Sequence, residues 1–279
     1  MWIQPLLNTD DSCYMDTAMI ALFLRPSRAL KKIIGNSRCS SPGFENICGG
    51  KRNARRVQEI IRHTARELAD HSALSEETVD LAPLRLAAKN CPSLNRHERF
   101  DREGMNDPSV FLEYIFALFP CLKMTVRRIS TCCRHCDAQI SLDEKVNPLV
   151  YLETGPLKDI DGMMLSDVVD LHEENTNSRF MSPSFIVFDI TRLSMRGRYL
   201  HDIEVTPDRS IALGRRTLHL RAVVVWRNHH YTVYAKTGHV WYYFDDMEDT
   251  VEKIGSYEDM IEDDDGFATM DGKLFVYGA

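Results

Sequence analysis

The chain has 279 residues, 44% of them hydrophobic and 27% charged, with a formal net charge of −7. This is the composition of a globular protein long enough to bury a core without staples, and it excludes collagenous, coiled-coil and fully disordered chains. The longest apolar run, Ala18 to Leu24, is seven residues, against the roughly 20 that a membrane span needs. The start, Met1-Trp2-Ile3-Gln4-Pro5, lacks the basic region and apolar stretch of a secretory signal. The expectation is a soluble intracellular protein, cytoplasmic or nuclear, with no membrane partner.

The charge is unevenly placed. Asp245 to Gly266 carries eleven acidic residues and one lysine, a net of −10, which leaves +3 for the remainder. Arg52, Arg55, Arg56, Arg62 and Arg66 make one basic stretch. No aromatic residues interleave with these arginines, so no nucleic-acid partner is expected and both runs read as solvated faces. All eight cysteines (Cys13, Cys39, Cys48, Cys91, Cys121, Cys132, Cys133 and Cys136) lie in the first half. Without a secretory signal they read as thiols for catalysis or metal, not as a disulfide framework.

In chain order, Met15, Ala18, Met19, Leu22 and Phe23 have helical spacing. They predict a helix from Cys13 to Leu24, with Ser12 as N-cap, Asp16 in the first turn facing the macrodipole, and Pro26 as stop. Gly35 to Asn53 reads as a surface loop. A second helix is predicted over Asn53 to His71, with Val57, Ile60, Ile61, Thr64 and Leu68 on one face. In a third, Asp107 caps, Pro108 takes the first position, and Phe111, Leu112, Ile115, Phe116 and Leu118 form the apolar face before Pro120. After residue 121 the texture becomes β. Strands are predicted at Phe185–Phe188, Leu220–Trp226, Tyr231–Ala235, Val240–Phe244 and Leu274–Tyr277, with turns at Asn228 and Lys236-Thr237-Gly238. Helices first and sheet second indicate an α+β protein with a cleft between two lobes.

Chemistry concentrates in two places. A cysteine at a helix N-terminus is chemically special, because unpaired N–H groups and a nearby imidazolium both favour the thiolate. Cys13 occupies such a position. Its partner must be a histidine oriented by a third group. His229 and His230 stand at the head of one strand, and the next strand, Trp241-Tyr242-Tyr243-Phe244, runs into Asp245-Asp246. Adjacent antiparallel strands bring the start of one beside the end of the next, which suits a base and its orienting carboxylate.

These residues carry a resemblance. Asn8-x4-Cys13-Tyr14-Met15-Asp16 resembles the cysteine box of the ubiquitin-specific proteases, papain-like thiol proteases that act as deubiquitinases. Ser12-Cys13-Tyr14-Met15-Asp16-Thr17 is closest to the cylindromatosis-type branch of that family. His230-Tyr231-Thr232-Val233-Tyr234 with Trp241 to Asp246 resembles the histidine box. Asn106-Asp107-Pro108 with Phe111-Leu112 is similar to the glutamine-aspartate box, although Asn106 and Val110 replace the family's glutamine and glutamate. Cys133-x-x-Cys136 is similar to the start of the fingers, Ser182 to Val187 to the strand entering the palm, and Lys273 to Tyr277 to the closing strand.

The resemblance implies a papain-like α+β fold in a single catalytic domain. Its helical thumb would span about 1–120, its reduced fingers 121–184 and its β-rich palm 185–279. It implies a cysteine-type ubiquitinyl hydrolase with ubiquitin or its conjugates as partner. Cys13 would be the nucleophile and His230 the base, preferred to His229 because Tyr231 and Tyr234 follow it at the family's spacing. Asp245 would orient the ring, with Asp246 as auxiliary or alternative third member. Asn8 would serve the oxyanion hole and Tyr231 the channel for the diglycine tail. The family's fingers hold one zinc between two Cys-x-x-Cys pairs; this chain has one pair, and a closed site needs four ligands. The expectation is therefore that no cofactor is required, with Cys133 and Cys136 the ligands of any zinc. The same chemistry on SUMO or NEDD8, a silent ubiquitin-binding module, and an unrelated papain-like peptidase are the alternatives.

Overall fold

A computed structural model describes residues 2–3, 13–35, 48–70, 79–89, 107–131, 139–153, 162–191, 203–248, 250–263 and 267–279. The first half of the chain is helical: a two-residue strand β1 (Trp2–Ile3), then α1 (Cys13–Phe23), α2 (Arg28–Gly35), α3 (Lys51–Asp70), α4 (Ala82–Lys89) and α5 (Pro108–Leu118). The strands β2 (Met124–Thr131), β3 (Gln139–Val146), β4 (Leu149–Glu153) and β5 (Met163–Met164) precede α6 (Leu165–Asn175). The chain continues through β6 (Ser178–Phe180), β7 (Phe185–Thr191), β8 (Val205–Thr206), β9 (Ser210–Leu213), β10 (Arg216–Arg227), β11 (His230–Thr237), β12 (Val240–Phe244) and β13 (Thr250–Gly255). Two short helices, α7 (Tyr257–Ile261) and α8 (Phe267–Met270), lead to β14 (Gly272–Gly278). No helix among the described residues is long and apolar enough to cross a membrane.

Nine strands form the main sheet, in the order β1-β13-β12-β11-β10-β14-β7-β4, with β9 also paired to β10. Its pairings are antiparallel except β4 with β7. A second sheet, β3-β2-β6, stands apart. The five strands expected from β-branched and aromatic runs all form, and α3 and α5 form within two residues of their expected starts. The cap on α5 is the one its sequence predicts: Asp107 accepts from the Ser109 N–H at 2.8 Å, with Pro108 at the first position.

Side-chain alternation splits the core between the two faces of the main sheet. Ala222, Val224, Val233, Ala235 and Val276 pack with α1, α2, α3 and α5 on one face. Val223, Val225, Tyr234, Phe275 and Tyr277 pack with α6, α7 and α8 on the other. Leu218 and Leu220 share the second face although their numbers have the parity of the first. The cause is a bulge in β10, where the pairing steps from Leu220↔Tyr277 to Ala222↔Val276 and leaves Arg221 as the extra residue.

α1 departs from expectation. It reads as amphipathic, yet all eleven of its residues are buried, Asp16 included. A helix covered on all sides belongs inside the molecule, and α1 lies against β10 and β11 with α3 and α5 packed on it. Asp16 is therefore held by a buried ion pair, not by the macrodipole alone. α2 and α4 also fall outside the sequence expectations, and α3 already begins at Lys51, inside the segment read as loop. Both α2 and α4 are single short helices whose first turns are capped from outside, by Ser27 Oγ for Leu30 N–H and by Asp80 Oδ1 for Ala82 N–H.

The acidic run of the last strands is more than a solvated face. Asp259 and Ser256 close a capping box at the start of α7, and Asp263 accepts from the Tyr234 hydroxyl at 2.5 Å. Glu258 pairs with Arg209.

Candidate active site

Two elements create the site. Burial of α1 against the sheet puts Cys13, its first residue, at the edge of β11. The Thr17 hydroxyl donates to the Cys13 carbonyl at 2.7 Å and ties down the first turn. On the sheet side, β10 and β11 are joined by a two-residue turn, Asn228-His229, closed by the pair Arg227↔His230. Both turn residues have positive φ, 49° and 64°, the signature of a tight hairpin whose twist matches its strands. This turn separates the two candidate histidines: His229 is an exposed turn residue, its ring edge-on to Trp226, while His230 opens β11 and is half-buried.

His230, Asp245 and Cys13 come together. His230 Nε2–H donates to Asp245 Oδ1 at 2.7 Å, and the thiol of Cys13 stands within hydrogen-bonding reach of the same ring. With Nε2 committed to Asp245, Nδ1 is left for the sulfur. Asp245 Oδ1 also accepts from the Met247 N–H at 3.0 Å, which fixes the carboxylate. These contacts set the charges. The hydrogen bonds to Asp245 and then Cys13, aided by the charges of Asp245 and Asp246, outweigh burial and raise His230 to a pKa of about 10. Burial works against ionised Asp245, but His230 and the Met247 N–H still hold it below the usual carboxylate range. A cationic imidazole beside a sulfur is the arrangement that favours a thiolate nucleophile.

Asp246 is placed differently. Its Oδ1 is 3.4 Å from His230 Nε2, beyond the 2.7 Å of Asp245, and its side chain is 1% exposed. Burial first, and then the neighbouring Asp16, push it up to about 8, against the opposing pull of His230. Asp16 in turn receives Arg85 Nη2 on both oxygens, at 3.0 and 2.8 Å. Arg85 lies on α4 and is absent from the sequence reading. Its only signal there is an arginine on a short helix, while Asp16 is a carboxylate one turn after Cys13. Tyr231 follows His230 on β11, buried, with its ring 4.3 Å from that of Trp226.

Asn8, Cys133 and Cys136 lie outside the described residues. Among the described residues, the donors His230, Asp245 and Asp246 cluster within 4.8 Å, but their hydrogen bonding is that of an oriented imidazole, not of a metal centre. His172, the lone histidine between Cys136 and Phe185, sits on α6 with its ring stacked on Phe180 at 6.3 Å.

The ion pair predicts a pH dependence. A histidine whose folded pKa is raised stabilises the fold fully below its unfolded value, near 6.5, and loses that contribution as pH rises through about 10. Urea unfolding is expected to show stability declining from pH 6.5 to pH 10 in the wild type and declining less in Asp245→Ala. Equal slopes would refute the pairing.

The architecture that carries this site is the mixed α/β fold of ubiquitin-specific protease catalytic domains. A structure of the SAGA Ubp8/Sgf11/Sus1/Sgf73 DUB module bound to ubiquitin aldehyde matches 99% of this chain and 69% of its own, with a TM-score of 0.66 and 15% identity. A structure of the Ubp8-Sgf11-Sgf73-Sus1 SAGA DUB module matches 99% and 67%, at TM-score 0.63 and 15% identity. No family model and no curated protein matches the sequence.

Proposed function

We propose that the chain is a thiol-dependent deubiquitinase, hydrolysing the isopeptide or peptide bond after the C-terminal glycine of ubiquitin. The observation that carries this reading is the hydrogen bond from His230 to Asp245 at the head of β11, with the Cys13 thiol at the start of α1 within reach of the same ring. Its support in the comparisons is a fold shared with a chain of a DUB module bound to ubiquitin aldehyde. Cys13 Sγ attacks the carbonyl carbon of the terminal glycine. His230, cationic at the outset, holds the proton that the sulfur has given up and passes it to the leaving lysine amine, and a thioester remains. Water, deprotonated by the same ring, then cleaves the thioester and restores the thiol. Asp245 keeps the proton on Nε2 and balances the imidazolium. The Cys13 N–H and the Asn8 side chain are the proposed oxyanion donors, each worth roughly 10²–10³ in rate. Tyr231, backed by Trp226, is the proposed wall of the channel for the diglycine tail. The one-turn sequence Ser12 to Thr17 points within the family to the cylindromatosis-type branch, and the compartment proposed is cytoplasm or nucleus.

The test is covalent labelling by ubiquitin bearing a thiol-reactive C-terminus, beside matching SUMO and NEDD8 probes. Labelling by the ubiquitin probe alone, lost in Cys13→Ala, is expected. Labelling by another modifier would keep the mechanism and change the substrate, and no labelling of folded protein by any probe would refute an active isopeptidase.

A further inference from the structure

Asp246 presents a chemical puzzle. Both its carboxylate oxygens are fully buried and neither receives a hydrogen-bond donor. Besides His230 it meets a second carboxyl, that of Asp16, within hydrogen-bonding reach. Asp16 is itself 0% exposed. Two ionised carboxylates in contact in a buried setting repel, and the stable form of such a pair carries one proton between them. Arg85 pairs with Asp16, one nitrogen bridging both oxygens. It supplies one positive charge for the one negative charge that a singly protonated pair retains.

We propose that Asp16 and Asp246 share one proton, Asp246 O–H donating to Asp16, and that this acid pair, backed by Arg85, positions the first turn of α1 against the segment that orients His230. Asp16 lies one turn after Cys13 on α1, and Asp246 follows Asp245 directly. The bond between them therefore fixes the spacing of sulfur and imidazole from behind. Neutral Asp246 also leaves Asp245 as the single charge on Nε2. Once ionised, Asp246 would compete for that proton and push α1 away. The charged and titratable groups around Asp246 are Asp16 and Cys13 from α1, Arg85 from α4 through Asp16, His230 from β11 and Asp245 beside it. Asp16, His230 and Asp245 act on it directly, Cys13 and Arg85 only through His230 and Asp16, and no donor reaches its oxygens. The positioning role rests on the proposed deubiquitinase reading; the shared proton does not.

The experiment uses the full chain as wild type, Asp16→Asn and Asp246→Asn. Each amide supplies the missing donor without a titrating proton. An acid raised to about 8 in the fold and near 3.8 when unfolded binds its proton only in the folded state between those values. Stability then falls as pH rises from about 4 to about 8. The thermal midpoint of wild type is expected to fall relative to both variants across that window; parallel curves would overturn the shared proton. The second readout is kcat/KM against pH with ubiquitin carrying a fluorogenic C-terminal amide. Wild type is expected to show an inflection near pH 8 that Asp16→Asn lacks. The same inflection in both would overturn the positioning role. If no variant cleaves ubiquitin, the functional reading fails and the midpoint curves still decide the pair.

Discussion

Cys13→Ala is expected to abolish turnover of ubiquitin substrates, lowering kcat/KM by on the order of 10⁶, and His230→Ala to do nearly the same. The two act as one unit, because the sulfur is a competent nucleophile only while the ring takes and returns its proton. The double variant should therefore be no slower than either single one; additive losses would mean that they do not act together. Asp245→Asn should cost on the order of 10⁴, since an amide can hold the ring in the wrong tautomer. Affinity for ubiquitin should survive in Cys13→Ala, because the thiol acts in the transition state and not in holding the modifier. Steady-state kinetics with a fluorogenic ubiquitin amide and a binding titration of Cys13→Ala check each point. Residual turnover within tenfold of wild type would remove Cys13 from the reaction.

The largest stability effect is expected at Lys273. Its ammonium lies 2.6 Å from Asp189 and 3.3 Å from Asp107, while the Ser109 hydroxyl donates to the same Asp189. The network pins the N-terminus of α5 to β7 and β14, and Asp107 is at once its member and the cap of that helix. Burial favours neutral Lys273, but the charges of Asp189 and Asp107 outweigh it and keep the ammonium. Burial also pushes Asp189 up, so the carboxylate depends on its partner. Removing one member of a buried ion pair leaves the other uncompensated, at about 3–5 kcal/mol. Lys273→Met should lose stability of that size in urea unfolding. Asp189→Leu combined with Lys273→Met should lose less than Lys273→Met alone, because apolar residues of similar volume often replace a buried pair without loss. Additive losses would show that the two charges do not depend on each other.

Short-range signals were legible where the chemistry is local. Asp107-Pro108 announces a helix start because a carboxylate cap and a residue lacking N–H both act within one turn. Five strands were legible because β-branched and aromatic runs between turn residues suit a buried sheet. Cys13, His230 and Asp245 could be named because the residues flanking each one fix its register. Asp16 was legible only as a first-turn acid, and Arg85 not at all: their meeting depends on the packing of α1 and α4, 69 residues apart in the chain. Lys273 likewise looks like an ordinary strand lysine until β14 is set beside β7.

The sequence by itself determined α1, α3, α5, five strands of the main sheet and which residue types carry the chemistry, because propensity, capping and turn geometry act over a few residues. Tertiary structure alone decided that α1 is buried on all sides. It supplied the physical reason that His230 and not His229 meets Asp245: a two-residue turn leaves one histidine in solvent and places the other at the first strand position. It also decided that the carboxyls of Asp16 and Asp246 meet, since burial and long-range contact, not local sequence, set the electrostatics of a charged group.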